Sequence, residues 1–322
     1  MKSLKVCLVA VLAMFFVLGG NSLAADYPGK KILFVDSYHE GYPWSDEITQ
    51  AVKDILDGTG VELKIFRMDT KRHSDEAFKK KAALEAKAII ESFKPDVVIA
   101  SDDNASKYLI VPYFKNSAIP FVFCGINWDA SVYGFPCKNV TGMLEVTPVF
   151  QLLDQLKPFA KGGRIGFIGP ETLTSRKESE NISLTFKMQL VEYFATDARD
   201  WKKGFAELQG KVDMLLIDSD GGLYADQAKD LIAYVEANTK IPTGTSYDFM
   251  APYALVTFAK VAGEQGAWAA STALKILGGT APGAIPLDQN QEGELILNAR
   301  IARGLGVEIP YGLIDAASKI IE

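Results

Sequence analysis

The sequence predicts an α/β protein made of two doubly wound parallel-sheet lobes, which are joined by a hinge of several chain crossings. Three observations predict it. Short apolar runs alternate with amphipathic helical segments along the chain. The 322 residues exceed what one hydrophobic core usually serves, and a hydrophobic content of 48% suffices for two cores. No low-complexity linker separates the two halves, so we expect a short connection between the lobes.

The first 25 residues have the features of a secretory signal peptide. Two lysines precede an apolar run from Val6 to Leu18, and the small residues Ser22 and Ala24 suit cleavage. Cys7 lies inside the apolar run rather than after the cleavage site, so we expect no lipid anchor. Later apolar runs are shorter than the about 18 residues of a spanning helix. We therefore expect a soluble chain in the periplasm.

The first half of the chain has the pattern of one doubly wound sheet. Strands are predicted at Lys31–Asp36, Val61–Arg67, Asp96–Ala100 and Ile119–Cys124. Helices are predicted near Ser45–Leu56, Asp75–Phe93 and Asn104–Phe114. Parallel strands need crossover connections, which helices of this length provide.

A second series with the same pattern begins after a strand at Val140–Leu144. Its strands are predicted at Arg164–Ile168, Leu190–Ala195, Val212–Ile217, Ile241–Thr245 and Ala254–Phe258. Its helices are predicted at Pro148–Leu156, from about Ser175, at Arg199–Leu208 and at Tyr224–Asn238.

The last part of the chain predicts a return to the first lobe and a final crossing. A helix at Val261–Leu277 is followed by a strand at Glu294–Leu297 and a helical piece from Asn298 onward. The predicted units are a signal peptide at 1–25, a first lobe of residues 26–141 plus 260–285, and a second lobe of residues 142–259 plus 286–322. Several crossings of this kind behave as a hinge.

Ligands of open parallel sheets bind outside the carboxyl ends of the strands, where loops and helix N-termini offer unpaired N–H groups. The predicted rim loops are Ser37–Trp44, Ser101–Asn104, Gly125–Asp129, Pro170–Ser175, Asp218–Gly222 and Ser246–Phe249. Hydroxyls at the starts of helices either hold an anionic ligand group or simply cap the helix. These hydroxyls belong to Ser37, Ser101, Thr172, Ser175 and Ser246.

Aromatic and acidic residues occupy the same loops. Rings of Tyr38, Trp128 and Tyr247 are predicted to cover an apolar or cationic part of a ligand, the alternative being packing between the lobes. Acids are plentiful there, which favours a ligand amine, and Asp248 and Asp218 are the leading candidates. The predicted ligand is an amino acid or a related amine. The predicted binding residues are Ser37, Tyr38, Ser101, Asp102, Asn127, Trp128, Thr172, Ser175, Asp218, Ser246, Tyr247 and Asp248.

Several functional classes are disfavoured by composition. The net charge of −6 and the absence of a basic block argue against nucleic acid as a partner. Histidine occurs only at His39 and His73, and no zinc-ligand spacing, GxSxG or phosphate-binding loop is present, so we expect no metal, no cofactor and no catalysis. The later cysteines, Cys124 and Cys137, either form one bridge or remain two separate thiols.

Three segments carry a resemblance to a known family: "KNVTGMLEVTP", "ALVTFAKVAGEQGAWAASTALKILGGTAPGAIP" and "ELILNARIARGLGVEIP". The chain resembles the ABC-transporter substrate-binding proteins of the type I periplasmic-binding fold, among them import receptors of the tryptophan and tyrosine type. The resemblance implies a monomeric receptor that closes on a small ligand and presents it to an ABC permease. It covers nearly the whole mature chain.

One segment departs from that family pattern. The stretch "ILFVDSYHEGYPWSDEITQAV" is longer and more aromatic than the usual loop, and it is similar to the subgroup that also serves as periplasmic sensor domains. A protein that delivers its bound state to a membrane sensor kinase or chemoreceptor is therefore the alternative to an import receptor. A periplasmic enzyme is a third and weaker alternative.

Overall fold

The computed structural model describes residues 27–73, 75–220 and 225–322. It consists of two α/β lobes, each built around a mainly parallel sheet, which confirms the predicted fold class. The predicted signal peptide lies outside the described residues. Within those residues, no helix combines the length and apolar character needed to cross a membrane.

Thirteen strands occur among the described residues, and eleven of them lie within a few residues of a predicted strand. In chain order they are β1 Lys31–Asp36, β2 Glu62–Arg67, β3 Val97–Ser101, β4 Phe121–Asn127, β5 Val140–Glu145, β6 Ile165–Pro170, β7 Leu190–Ala195, β8 Met214–Ile217, β9 Thr243–Thr245, β10 Val256–Lys260, β11 Asp288–Gln289, β12 Gly293–Asn298 and β13 Lys319–Ile321.

The helices lie mainly between these strands. They are α1 Pro43–Leu56, α2 Glu76–Phe93, α3 Asp102–Ala105, α4 Val149–Leu156, α5 Leu173–Phe186, α6 Ala198–Leu208, α7 Ala228–Asn238, α8 Ala262–Leu277, α9 Ala299–Leu305 and α10 Tyr311–Ala316. Helix α3 continues directly into a π-helical segment at Ser106–Phe114. The short pieces β11, β13 and α10 were not predicted, because they lack a long apolar period.

The first sheet has the strand order β11-β5-β4-β3-β1-β2, and all neighbouring strands are parallel. The second has the order β13-β12-β10-β9-β8-β6-β7. Strand β12 runs antiparallel to β10, which departs from the expectation of wholly parallel sheets. The reason lies in the connectivity, since β10 leads the chain out of the second lobe and β12 leads it directly back in.

The chain crosses between the lobes three times, after β5, after β10 and after β11. The predicted lobe boundaries at 141, 259 and 285 fall a few residues before these crossings. Hydrogen bonds join the crossings to one another and to α8. The Asn290 side chain accepts from the Val146 backbone at 2.7 Å, and the Glu264 carboxylate accepts from the backbones of Gln291 and Glu292. The three crossings therefore form one connected hinge.

Hydrophobic packing covers both faces of the first sheet. One face packs against α2 and the π-helical segment, and the other face packs against α1 and α8. Helices α1 and α8 approach closely because Gly266 has no side chain, and a Cβ there would overlap the carbonyl oxygen of Ile48. The second lobe has a single large core around its own sheet. Each lobe thus presents a rigid set of strand ends to the other.

Cys124 and Cys137 are separate free thiols. Cys124 is fully buried on β4 in the cluster under α1 and α8, whereas Cys137 packs against the cluster on the opposite face of the sheet. A sheet between the two side chains prevents the bridge that the sequence left open.

Candidate functional site

A cleft of about 800 Å³ lies between the lobes, at the carboxyl ends of the parallel strands. Loops after β1, β3 and β4 form its first side, and loops after β8 and β9 together with the start of α5 form its second side. The last residues of β5 and β10, next to the hinge, lie at its base. This cleft therefore coincides with the predicted rims.

Asp36, at the end of β1, organises the first rim. Its buried carboxylate accepts hydrogen bonds from the Tyr38 backbone at 3.0 Å, from Ser45 at 3.0 Å and from Ser101 at 3.3 Å. It also forms an ion pair with Arg67 at the end of β2. One carboxylate thus joins the ends of three strands and the start of α1.

The Ser37 hydroxyl has a similar internal role. It donates to the Ser101 carbonyl at 2.5 Å and accepts from the Ala105 backbone at 2.9 Å. Both serines are fully buried and neither lines the cleft. The structure therefore places these two predicted binding residues behind the rim, where they fix the loop that carries Asp102.

Asp102 follows β3 and differs from every carboxylate around it. It lines the cleft although only 2% of its surface is exposed, and its backbone is left-handed, with φ of 65°. Its buried Oδ2 has no hydrogen-bond partner among the described residues. Burial, followed by the charges of Glu145 and Asp36, raises the pKa of Asp102 well above its ordinary value. An unpartnered buried polar atom and a strained backbone both point to a functional position.

An ion pair joins the two lobes at the base of the cleft. Lys260, the last residue of β10, donates to Glu145, the last residue of β5, at 2.5 Å, and both side chains are largely buried. Burial lowers the pKa of Lys260, but the charge and hydrogen bond of Glu145 raise it together with the charges of Glu178 and Asp218, so the net shift is upward. The lysine therefore remains charged and neutralises one of the buried acids.

Aromatic rings from both lobes surround the opening. Tyr38, Tyr42 and Trp44 come from the first rim, and Tyr247 comes from the loop after β9. Tyr38 and Tyr42 meet edge to face with ring centroids 5.5 Å apart. Burial is the main cause of the raised pKa of Tyr38 and of Tyr247, so both hydroxyls remain protonated.

The Lys71 ammonium lies at the first rim. Its Nζ is 4.8 Å from the Tyr38 ring centroid and 4.2 Å from that of Tyr42, and it donates to the Tyr42 hydroxyl at 2.8 Å. Cation–π contacts of this kind hold an ammonium in place without neutralising its charge.

Trp128 makes a direct contact between the lobes. It follows β4 in a left-handed conformation with φ of 60°, and its indole N–H donates to Glu178 of α5 at 2.9 Å. The other oxygen of that carboxylate accepts from Thr147, next to the hinge. The Trp128 ring also packs edge to face on Phe186, with centroids 6.2 Å apart. Trp128 is thus both a cleft residue and an interlobe contact.

The second rim has its own buried carboxylate. Asp218, after β8, accepts a hydrogen bond from Ser175 at 2.5 Å, and Gly169 leaves the space for this contact because a Cβ would overlap the serine hydroxyl. Burial raises the pKa of Asp218 to about 6, although the bond from Ser175 acts in the opposite direction. Thr172 caps α5 by accepting from the Ser175 backbone at 3.2 Å. Thr172 therefore caps the helix and Ser175 supports Asp218. These are structural roles, which the sequence analysis gave as the alternative to ligand binding.

The remaining predicted residues lie along the cleft. Ser246 is nearly buried, and Asp248 is exposed and accepts from the Phe249 backbone at 2.7 Å. Asn127 donates its side-chain amide to Asp103 at 2.9 Å. Together with residues described above, the structure brings seven predicted residues to the cleft, namely Tyr38, Asp102, Asn127, Trp128, Ser246, Tyr247 and Asp248.

Six charged cleft residues escaped the sequence analysis, namely Glu47, Lys71, Glu145, Glu178, Lys260 and Glu294. Glu145 and Lys260 end strands β5 and β10, just beyond the predicted ends at Leu144 and Phe258, and Glu178 lies inside a helix rather than in a loop. Lys71 follows β2, for which no rim loop was predicted. The available signal was a charged residue at the last position of an apolar strand, as in Glu145 and Lys260.

The chemistry of the cleft favours a polar ligand with at least one hydrogen-bond donor. Its lining contains six carboxylates and two lysines, and one of the lysines is already paired. The carboxylates belong to Glu47, Asp102, Glu145, Glu178, Asp248 and Glu294. No group of three or more metal-ligating side chains occurs in the part of the chain that the structure describes.

Comparisons with known proteins agree with this architecture. The model of the family described as "ABC transporter substrate binding protein" matches residues 40–321. None of the curated proteins searched matches the chain in sequence.

Solved structures show the same fold at low identity. A ligand-free, open substrate-binding protein with adhesive properties from Clostridium difficile is 21% identical, with a TM-score of 0.69 over 91% of this chain and 99% of the other. An ABC domain from Streptococcus pneumonia in complex with L-Trp is 16% identical, with a TM-score of 0.57 over 91% and 99%. A periplasmic ribose ABC transporter protein from Conexibacter woesei is 13% identical, with a TM-score of 0.57 over 88% and 97%.

Proposed function

The chain belongs to the ABC transporter substrate-binding protein family, and from that premise we propose that it binds an amino acid or a related amine in the cleft between its lobes. Members of this family are non-catalytic binding proteins, so the cleft is a binding site rather than an active site. Family membership also implies two partners, a small ligand and an ABC permease. We further propose that the protein works in the periplasm as a monomer.

The observation that carries the ligand proposal is the unpartnered Oδ2 of Asp102 in the cleft. Leaving a buried carboxylate oxygen without a hydrogen bond costs about 1 to 3 kcal/mol or more. A ligand ammonium removes that cost, because it supplies the missing donor and a charge that stabilises the ionised form. A carboxylate ligand group at the same place supplies no donor to the ionised form of Asp102 and repels its charge.

The aromatic lining supports a ligand that also carries an apolar or aromatic part. Rings of Tyr38, Trp44 and Tyr247 cover such a group at low entropic cost. The Streptococcus pneumonia protein of the same fold was solved with L-Trp, which makes aromatic amino acids the first compounds to test.

Closure of the lobes follows from the position of the site. A ligand that contacts Asp102 on one lobe and Tyr247 on the other gains contacts only when both rims approach it. Differential affinity then shifts the population toward the closed form, which the permease recognises.

Thermal unfolding against amino acids, amines, purines and small carboxylates tests the proposal. A ligand at 100 times its dissociation constant adds about 2.7 kcal/mol of stability. We expect a shift with an amine-bearing compound and none with simple carboxylates. The Asp102→Asn variant should lose that shift, whereas Asp248→Asn, which changes an exposed acid of the same cleft, should keep most of it. A wild-type response to carboxylates alone, or an unchanged response in Asp102→Asn, contradicts the proposal.

A further inference from the structure

We propose that Lys71 holds an anionic group of the ligand, so that the cleft selects compounds carrying both an ammonium and a carboxylate over simple amines. This inference rests on the proposed function, since it takes the amine end of the ligand to be bound near Asp102. It adds a specificity-determining residue at the opposite end of the same ligand.

The first step is that four of the five hydroxyls predicted to hold an anion are already occupied. Ser37 and Ser101 bond within the first rim, and Ser175 donates to Asp218. The Thr172 hydroxyl caps α5. The fifth, Ser246, lines the cleft, but its hydroxyl carries no charge, so an anionic ligand group still needs a positive countercharge there.

The second step concerns charge. Of the two lysines that line the cleft, Lys260 is neutralised by Glu145, whereas Lys71 forms no salt bridge within the described residues. Its side chain is exposed, and within the described residues its ammonium donates one hydrogen bond, to the Tyr42 hydroxyl, which leaves two of its three donors available there. Lys71 is thus the unneutralised cation of an otherwise acidic cleft.

The third step concerns placement. Lys71 and Asp102 line the same cleft, and Tyr38 lies near both of them. Asp102 offers an unpartnered acceptor, and Lys71 offers donors, on neighbouring parts of one rim. The Lys71 charge also opposes the burial and the neighbouring acids that raise the pKa of Asp102. Such a pair matches a dipolar ligand better than a ligand with a positive charge alone.

Calorimetric titration with matched pairs tests the inference: L-tryptophan with tryptamine, L-tyrosine with tyramine, and L-phenylalanine with phenethylamine. Each amine lacks only the carboxylate. We expect wild type to bind the amino acid of at least one pair about tenfold more tightly than its amine, since one charge-assisted hydrogen bond is worth about 1.4 kcal/mol or more. Lys71→Met should weaken the amino acid about tenfold and leave the amine nearly unchanged, and Lys71→Arg should restore most of the preference.

Lys81→Met is the matched control, because it removes the same charge from an exposed position on α2, outside the cleft. It should bind like wild type. If an amine binds as well as its amino acid, or if Lys71→Met tightens amine binding because a competing cation has left the Tyr38 and Tyr42 rings, Lys71 is not an anion anchor but the proposed amine site stands. If neither member of any pair binds wild type, the proposed function fails and this inference fails with it.

Discussion

Asp36 and Asp102 end or follow neighbouring parallel strands of the same sheet, and both are almost completely buried. Asp36 accepts three hydrogen bonds and pairs with Arg67, whereas the Oδ2 of Asp102 has no partner among the residues that the structure describes, and the backbone of Asp102 is left-handed. The contrast teaches that burial alone does not distinguish a structural acid from a ligand-binding acid. The distinguishing property is whether the fold itself supplies the hydrogen-bond donors.

The largest effect on stability is expected at Asp36, whose hydrogen-bond donors are supplied by the fold itself. Asp36→Asn removes the charge that Arg67 requires and replaces the oxygen that accepts from Arg67 with an NH2 group, so it should lower the free energy of unfolding by about 4 kcal/mol. Chemical denaturation with circular dichroism measures this loss. A loss below about 1 kcal/mol would make Asp36 as dispensable for folding as we expect Asp102 to be.

A similar but smaller loss is expected at the hinge. Lys260→Met leaves Glu145 buried and unneutralised beside Asp102, and it should cost about 3 kcal/mol. The double variant Glu145→Gln with Lys260→Met should recover much of that loss, because no buried charge remains uncompensated. Denaturation of both variants at neutral pH checks the difference, and equal stabilities would show that the ion pair is not the cause.

Asp218, the buried carboxylate of the second rim, is expected to make the stability of the protein depend on pH. The pKa of Asp218 is raised to about 6 in the folded state from an ordinary value of 3.8, so the folded state binds the proton more tightly than the unfolded state. Stability should fall as pH rises from about 4 to about 6, by about 3 kcal/mol for this group. Asp218→Asn should lack this component. Denaturation of both proteins at pH 4, 5, 6 and 7 measures it, and parallel pH profiles would contradict the assignment.

A gain in stability rather than a loss is expected at Asp102. Because its folded-state pKa is raised, its ionisation destabilises the fold as pH rises above its ordinary value. Asp102→Asn should therefore be more stable than wild type at pH 7, by about 1 kcal/mol or more, and the difference should shrink in acid. Thermal unfolding without ligand at pH 7 and pH 4 checks this. A destabilised Asp102→Asn at pH 7 would place Asp102 with Asp36 as a structural acid.

The sequence by itself determined the two-lobe α/β class and most strand positions, since β-branched runs between amphipathic helices have few ways to bury their apolar faces. It also located the rim loops that carry Tyr38, Asp102 and Trp128, because loops at the carboxyl ends of parallel strands converge.

The tertiary structure alone decided how each polar group on those rims is used. The hydroxyls of Ser37, Ser101 and Ser175 lie in rim loops where the sequence predicts ligand binding. All three instead form hydrogen bonds to residues far away in sequence. Lys260 and Glu145 meet across 115 positions of the chain, and Cys124 and Cys137 are separated by their own sheet. Hydrophobic periodicity is a local property that sequence displays directly, whereas the partner of a buried polar group is fixed only when distant strands pack together.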